Sequence, residues 1–206
     1  MKITSISQRR KGLSAVTTED GSEFLLDTEL LGLKGIKEGA NIEDLEKLNS
    51  ESEFKRAKSR ALWYLSRRDH SKKELTDKLV KGGFSPEISA LAVERMCEID
   101  LVNDRAFATK FFDQAVVYNH SSVKEAIYKL KLKGISTDII KELEEQVEFD
   151  ESENIKLLIE RKYQNKLNSE DGVQKVFAAL IRKGFSFSDV RRALKKYSEE
   201  LECEDF

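Results

Sequence analysis

Few residues of this sequence combine a chemically active side chain with a spacing that suits catalysis. His70 and His120 lie 50 residues apart, and histidine can serve as an acid–base group or a metal ligand. Each stands just before a predicted helix-capping serine, so a polar position at the entry to a helix explains both. Lys81-Gly82-Gly83 lacks the full glycine-rich pattern that wraps a phosphate, and Asn103-Asp104 is better explained as a helix cap than as a catalytic acid. The sequence therefore predicts no catalytic residue, no metal site and no cofactor.

Two aromatic residues, Trp63 and Tyr64, lie within a strongly basic stretch, and aromatic rings beside cations can stack on nucleic-acid bases. Ala61, Leu62 and Leu65 surround them at helical spacing, which favours core packing for at least one of the two rings. The same two interpretations stay open for three tyrosines: Tyr118, Tyr128 and Tyr163.

The charged residues are segregated along the chain, although the formal net charge is only -2. Residues 54–84 contain ten Lys or Arg against three acids, and residues 175–196 contain seven against Asp189 alone. Residues 138–153 carry eight acids against Lys141. Solvated helix faces explain any one such block, but two separated basic blocks favour a polyanionic partner.

The composition is that of a helix-rich protein, with 36% charged residues and Pro86 as the only proline. The sequence contains no run of eighteen apolar residues, and residues 1–5 lack a signal-peptide pattern, so we expect a cytoplasmic protein. Cys97 and Cys203 form no spaced cluster, and in the cytoplasm we expect both to be reduced thiols.

The first 48 residues differ from the rest because they are rich in β-forming residues. Residues 2–7, 13–18 and 22–27 are strand candidates, and Asp20-Gly21 is a hairpin turn signal. A lone hairpin is marginal in water, so we expect this two- or three-stranded sheet to pack on the first helices. The residues predicted to make that contact are Leu30, Leu31, Leu33 and Ile36.

From Glu43 onward, apolar residues recur three and four positions apart, which is typical of helices with one buried face. Ser50-x-x-Glu53, Ser71-x-x-Glu74 and Ser122-x-x-Glu125 are predicted capping boxes, in which serine and glutamate satisfy free backbone N–H groups. Ser85-Pro86 similarly predicts a cap followed by proline at the first helical position.

Three glycines mark an internal repeat. Gly83, Gly134 and Gly184 lie 51 and 50 residues apart, and each is followed by an apolar residue and a serine. Apolar residues stand eight and four positions before each glycine: Leu75 and Leu79, Ala126 and Leu130, Val176 and Leu180. Each glycine suits the left-handed position that ends a helix, and the apolar residue after it can fold back on that helix.

The sequence therefore predicts a mainly α-helical chain, with three tandem three-helix repeats at 50–101, 102–150 and 151–206 after a small β-rich segment at 1–48. The expected helices are 52–68, 72–82 and 86–99, then 103–118, 122–133 and 137–148, then 152–167, 170–183 and 188–202. Because such units bury little apolar surface alone, we expect them to stack into an elongated, curved array with a concave face.

The order of these motifs resembles that of the RecX family of bacterial recombination regulators. The matching residues are Arg67-Arg68-x-x-Ser71-x-x-Glu74-Leu75-x-x-Lys78-Leu79, Gly83-Phe84, Leu101-Val102-Asn103-Asp104-x-x-Phe107-Ala108, Lys133-Gly134-Ile135 and Arg182-Lys183-Gly184-Phe185-Ser186. The resemblance covers residues 54–197, and it is specific in the order and spacing of the motifs rather than in any one of them. Two positions depart from the pattern: Asn103 stands where the family commonly has aspartate, and Ile135 where phenylalanine alternates with isoleucine.

The resemblance implies a non-enzymatic modulator that binds the RecA recombinase and lodges in the groove of its filament on single-stranded DNA. Such a modulator inhibits strand exchange, ATP hydrolysis and coprotease activity, and some members of the family also bind DNA themselves. We expect a monomer whose partners are the RecA filament and single- or double-stranded DNA. The basic residues expected to contact RecA or DNA are Arg67, Arg68, Lys72, Lys78, Lys81, Lys124, Lys129, Lys131, Lys133, Arg182, Lys183, Arg191 and Arg192.

Two further hypotheses come from the residues alone. The basic blocks predict a helical nucleic-acid-binding module without a recombinase partner, whose affinity for DNA would fall steeply with salt. The net charge of -2 argues mildly against this hypothesis. An enzyme that uses His70, His120 or the acidic block is the third hypothesis, and it is disfavoured because these residues form no catalytic constellation.

Overall fold

The computed structural model describes residues 1–146, 150–167, 169 and 171–203, without the side chains of Arg10, Lys196 and residues 198–203. The chain divides into two compact units, Met1–Asn103 and Asp104–Phe206. Unit 1 holds a small sheet and the first three-helix repeat, and unit 2 holds the second and third repeats. In the described ranges, no helix is long and apolar enough to cross a membrane.

The β-rich segment forms a three-stranded antiparallel sheet in the order β1-β2-β3. The strands are β1 (Ile3–Gln8), β2 (Leu13–Thr18) and β3 (Glu23–Asp27). The turn before β3 contains Gly21, whose φ of 84° lies in the left-handed region that favours glycine. The predicted strands and turn are therefore confirmed.

The sheet packs on helix α1 (Thr28–Leu33) and on the start of helix α2 (Leu45–Leu65). The buried residues of this core are Ile3, Val16, Leu26, Leu31, Leu45 and Leu48. Of the four predicted contact residues, Leu31 is buried, and Leu30 and Ile36 pack partly against the core. The prediction for Leu33 was wrong, because this side chain is 76% exposed. Residues two apart on a helix do not share a face, so Leu31 and Leu33 cannot both point inward.

Helix α2 begins earlier than predicted, at Leu45 instead of residue 52, and it ends at Leu65 instead of residue 68. Asp44 caps it by accepting a 2.8 Å hydrogen bond from the Lys47 N–H. The predicted capping box at Ser50 and Glu53 was wrong, because both residues lie within the helix. Glu53 instead accepts a 2.5 Å hydrogen bond from the backbone N–H of Ser85, which ties α2 to the entry of the third helix of its repeat.

The first repeat is completed by α3 (Lys72–Lys81) and α4 (Pro86–Glu98). The serine cap of the Ser71 capping box is confirmed, since the Ser71 hydroxyl accepts a 3.1 Å bond from the Glu74 N–H. Pro86 stands at the start of α4 as predicted, but the Ser85 hydroxyl makes no capping hydrogen bond. The core of the repeat consists of Ala57, Ala61, Leu75, Leu79, Ala92, Val93, Met96 and Val102.

The second repeat consists of α5 (Asp104–Asp113), which continues as a π-helical turn (Gln114–Tyr118), α6 (Val123–Leu132) and α7 (Thr137–Gln146). The third consists of α8 (Ser152–Leu158), a π-helical turn (Ile159–Tyr163) that leads into α9 (Gln164–Leu167), then α10 (Gly172–Arg182) and α11 (Phe187–Cys203). Each repeat has its own apolar core. The predicted end of the helix at 137–148 and the predicted start of the helix at 170–183 fall on residues that lie outside the described part of the chain. Cys97 is half-buried, and the Cys203 side chain lies outside the described part.

The three repeat glycines end their helices as predicted. Gly83, Gly134 and Gly184 have φ values of 91°, 79° and 95°. The backbone N–H of the next residue bonds back to the carbonyl four residues before the glycine, at 3.3, 3.1 and 3.3 Å in the three repeats. This is the Schellman geometry, which satisfies helix carbonyls and buries the following apolar residue. The paired apolar residues before each glycine are at most 1% exposed, so the predicted repeat is confirmed.

Candidate binding surfaces

The turn between α2 and α3 presents two of the candidate cations, Arg67 and Arg68, and both are exposed. A guanidinium N–H of Arg68 donates to the Asp69 carbonyl at 2.8 Å and to the Glu74 carboxylate at 3.1 Å. The Glu74 carboxylate therefore holds Arg68 beside the first turn of α3. Lys72 begins the helix and is also exposed.

Trp63 and Tyr64 lie at the end of α2, next to that turn. Their rings meet edge to face, with centroids 5.2 Å apart. Tyr64 packs partly against the core of the repeat, whereas Trp63 is 48% exposed. The prediction that at least one ring packs in the core is confirmed, and Tyr64 is that ring. The three tyrosines with the same two interpretations also divide, because Tyr163 is buried whereas Tyr118 and Tyr128 are 74% and 61% exposed.

Cations lie over both rings. The guanidinium carbons of Arg60 and Arg67 lie 5.5 and 5.4 Å from the centre of the Trp63 ring. The ammonium of Lys78 lies 4.9 Å from the centre of the Tyr64 ring. Such contacts stabilise a cation through the face of a ring and leave its N–H groups free to bind an anion. Arg60 was not among the candidate residues, although its position three residues before Trp63 could have indicated it. Lys81, at the end of α3, is exposed.

His70 lies behind this surface and is only 4% exposed. Its Nδ1 donates to the carbonyl of Arg68 at 2.9 Å, and its buried Nε2 has no hydrogen-bond partner among the described residues. Burial lowers the pKa of His70, and the charges of Arg68 and Lys78 act in the same direction. The hydrogen bond to the Arg68 carbonyl and the charge of Glu74 oppose this shift, but the net effect is a lowered pKa. A neutral imidazole in this position supports the turn that carries Arg68, in agreement with its interpretation as a helix-entry residue.

In the second repeat the four candidate lysines have different surroundings. Lys124 and Lys131 are exposed. Lys129 forms an ion pair with Glu125 at 2.7 Å. The ammonium of Lys133 lies over two aromatic rings of α5, Phe107 and Phe111, at 5.7 and 5.1 Å. Lys129 is thus partly neutralised within its own helix.

In the third repeat, Lys183 and Arg192 face carboxylates. Lys183 lies 3.8 Å from Glu125 of the second repeat, and Arg192 lies 3.5 Å from Asp189. The structure therefore brings Lys129 and Lys183 together at one carboxylate, which sequence spacing did not indicate. Arg182 and Arg191 are exposed.

A groove of about 810 Å³ in unit 2 lies beside two of the candidate cations. Lys124 and Lys131 line it, together with the carboxylates of Glu144, Asp150 and Glu151. Burial raises the pKa of Glu151, although its carboxylate accepts a 2.5 Å hydrogen bond from the backbone of α6. The groove is therefore of mixed charge, because its two lysines lie among carboxylates.

His120 joins the second repeat to the third. Its Nδ1 lies 3.2 Å from the Asn154 side-chain oxygen, and its Nε2 lies 3.2 Å from a guanidinium nitrogen of Arg161. Asn154 is buried and donates to the Val116 carbonyl at 2.8 Å. His120 stands two residues before the capping Ser122 instead of directly before it, which corrects the predicted equivalence with His70. The described part of the chain holds no group of three or more His, Cys, Asp or Glu residues that could bind a metal.

The fold and these surfaces define a helical-repeat protein with cationic surfaces. Residues 57–96 match the model of the first three-helix domain of RecX, and residues 150–194 match the model of the third. The Regulatory protein RecX of Streptococcus sanguinis (strain SK36) is 30% identical over 210 residues, which cover all of this chain and 80% of that protein. That of Caldanaerobacter subterraneus subsp. tengcongensis is 33% identical over 199 residues, or 94% of this chain and 98% of that protein. The chain belongs to the RecX family, which is a family of regulatory proteins.

Two solved structures share the fold. A crystal structure of regulatory protein RecX has a TM-score of 0.64 at 22% identity and covers 95% of this chain and 98% of that chain. RecX from Lactobacillus salivarius has a TM-score of 0.58 at 21% identity, over 71% of this chain and 97% of that chain. The expected membership and the mainly helical fold with a small N-terminal sheet are thus confirmed.

Proposed function

We propose that this protein is a non-enzymatic regulator that binds RecA filaments on single-stranded DNA and inhibits strand exchange, ATP hydrolysis and coprotease activity. The observation that carries the proposal is the match to proteins named Regulatory protein RecX over 94% or more of the chain. The proposal implies that the protein acts in the cytoplasm, and we propose that it does so as a monomer.

The distribution of charge supports a contact between the exposed cations and an anionic surface of the partner. Arg67, Lys81 and Arg182 are exposed, and none forms an ion pair with a carboxylate among the described residues. Their charges are therefore available to an acidic protein surface or to phosphate. Lys129 and Lys183 contribute less, because Glu125 partly neutralises them.

The test is charge reversal at two cations of unit 1 whose side chains form no hydrogen bond with the residues that the structure describes. We expect Arg67→Glu combined with Lys81→Glu to raise the concentration that half-inhibits RecA strand exchange by at least about tenfold, because like charges at an interface are repulsive. A variant with the same charge change, Lys2→Glu with Lys37→Glu in the β-rich segment, is the control and should inhibit like the unchanged protein. Equal inhibition by both variants would place the contact elsewhere, and no inhibition by the unchanged protein would contradict the function.

A helical nucleic-acid-binding module without a recombinase partner is the second candidate function. It is favoured by the exposed Trp63 between Arg60 and Arg67. This candidate predicts DNA binding that weakens steeply with salt, together with unchanged ATP hydrolysis and strand exchange by RecA.

A further inference from the structure

Trp63 lies on the surface of α2 at a position where repeat packing does not require an aromatic ring. It is 48% exposed, whereas Ala57 on the same helix is fully buried. Ala57 stands 26 residues before its repeat glycine, and the equally buried Ala108 stands 26 residues before the next one, so the first two repeats are in register. At the position that matches Trp63, the second repeat has the exposed Gln114. The core of a repeat therefore does not explain this tryptophan.

The cations around Trp63 keep their hydrogen-bonding capacity. Arg60 and Arg67 contact the ring through their guanidinium groups, at 5.5 and 5.4 Å from its centre. Neither of them forms an ion pair with a carboxylate in the part of the chain that the structure describes. A guanidinium that lies over a ring still presents its N–H donors at its edge, in a geometry that matches a phosphate.

Tyr64 holds Trp63 in place from the core side. The Tyr64 ring packs partly into the core of the first repeat and meets the indole edge to face at 5.2 Å. Lys78 lies over Tyr64 at 4.9 Å, which adds a third positive charge to the same surface. The indole therefore contacts Tyr64 and two guanidinium groups, and Trp63 is still 48% exposed.

We propose that Trp63 is a stacking site for a base of single-stranded nucleic acid, with Arg60, Arg67 and Lys78 as the groups that bind the flanking phosphates. An exposed indole beside cations combines the two interactions by which proteins bind single strands without sequence preference. A duplex fits less well, because its bases are already stacked on one another and are not exposed to an indole at its surface. The inference does not depend on the proposed function, because it concerns binding to nucleic acid without RecA.

The test uses the fact that Trp63 is the only tryptophan of the chain. An oligothymidylate of about 12 nucleotides, a length within the usual site size for single strands, is titrated into the full-length protein at low salt. We expect saturable quenching of the Trp63 fluorescence, and weaker quenching by a duplex of equal length. With a labelled oligonucleotide, we expect Trp63→Ala to weaken binding by at least about fivefold, as loss of one stacked base does.

Two further variants separate stacking from charge. The pair Arg60→Ala and Arg67→Ala should reduce the slope of log affinity against log salt by about 1.4, which corresponds to two lost phosphate contacts on a single strand. Leu33→Ala removes an apolar side chain of the β-rich segment that is 76% exposed, and it should leave the affinity unchanged. Circular dichroism checks that each variant is folded. If Trp63→Ala does not fold, the arginine pair still tests the site.

The site is overturned if the unchanged protein does not bind the oligonucleotide, or if Trp63→Ala and the arginine pair bind it as tightly as the unchanged protein does. Unchanged DNA affinity together with lost inhibition of RecA would assign Trp63 to a protein contact instead. Quenching and DNA binding without any effect on RecA would support this site and contradict the proposed function. The experiment therefore distinguishes failure of the nucleic-acid site from failure of the proposed function.

Discussion

The hydroxyl of Ser122 in the second repeat donates a 2.5 Å hydrogen bond to the backbone carbonyl of Lys183 in the third. The same oxygen accepts a 3.0 Å bond from the Glu125 N–H, so one fully buried serine both caps α6 and joins it to the end of α10. The Glu125 carboxylate extends the junction by pairing with Lys129 and approaching Lys183. Within unit 2, the first turn of α6 therefore holds the end of α10 in place.

Ser122→Ala should destabilise the protein by about 2–4 kcal/mol. It removes a helix cap, which costs about 1 kcal/mol, and it leaves the Lys183 carbonyl without its partner, which costs about 1–3 kcal/mol more. The control is Ser186→Ala, which removes the exposed cap of the Asp189 N–H and should cost about 1 kcal/mol. Urea unfolding followed by circular dichroism measures both, and equal losses would show that the bond to Lys183 contributes nothing.

Gly184→Ala should destabilise the protein more than Gly83→Ala. Both glycines have a φ above 90°, so alanine costs about 1–2 kcal/mol at either position. A Cβ at Gly184 would also lie 2.8 Å from the Ser122 hydroxyl oxygen, whereas a Cβ at Gly83 meets no atom within 4 Å. We expect a lower melting temperature for Gly184→Ala, and a destabilisation of the Gly184→Ala, Ser122→Ala double variant that is smaller than the sum of the two single losses. Identical melting temperatures for the two single variants would contradict the close approach.

Asn154→Ala should cost about 2–4 kcal/mol, because it leaves the Val116 carbonyl unsatisfied and opens a small cavity. Asn165→Ala, an exposed position on α9, is the matched control and should change stability by less than about 0.5 kcal/mol. Thermal unfolding of both variants measures the difference. A loss for Asn154→Ala as small as that for Asn165→Ala would show that the buried amide does not join the two repeats.

His70 should make the protein less stable as the pH falls. The pKa of His70 is lowered in the folded protein, so the neutral form is the one that folding favours. The contribution of neutral His70 to the free energy of unfolding is fully present above the ordinary histidine pKa of about 6.5. It is lost as the pH falls from there through the pKa of His70 in the folded protein. Urea unfolding at about pH 7.5 and about pH 5 should show a smaller pH effect for His70→Asn than for the unchanged protein. An equal pH effect in both proteins would contradict this assignment.

The features that depend on local backbone chemistry could be predicted from the sequence. The left-handed glycines and the caps at Ser71 and Ser122 each involve a few neighbouring residues, and the apolar stripes follow from helical spacing. The prediction failed at Ser50 because its capping pattern competes with an earlier cap at Asp44. Glu53 is also drawn to the distant N–H of Ser85, a contact that no local pattern reveals.

The candidate surfaces were predicted less completely, because a cation's role depends on what lies opposite it in space. The ion pair of Lys129 with Glu125 joins residues four apart on one helix, whereas the approach of Lys183 to the same carboxylate joins residues far apart in the sequence. Likewise, the alternation of core and surface along α2 left Trp63 and Tyr64 undecided until their exposure was known. Arg60 was missed because basic residues surround the aromatic pair on both sides in the sequence, and helical spacing allows Arg60 to reach the ring without singling it out.

The most direct measurement is ATP hydrolysis by RecA filaments on single-stranded DNA, titrated with this protein up to one molecule per RecA protomer. A regulator that binds the filament and inhibits it predicts a rate that falls progressively with added protein, and parallel inhibition of strand exchange. Unchanged rates of both reactions at that ratio would contradict the central claim, whatever the protein's affinity for DNA alone.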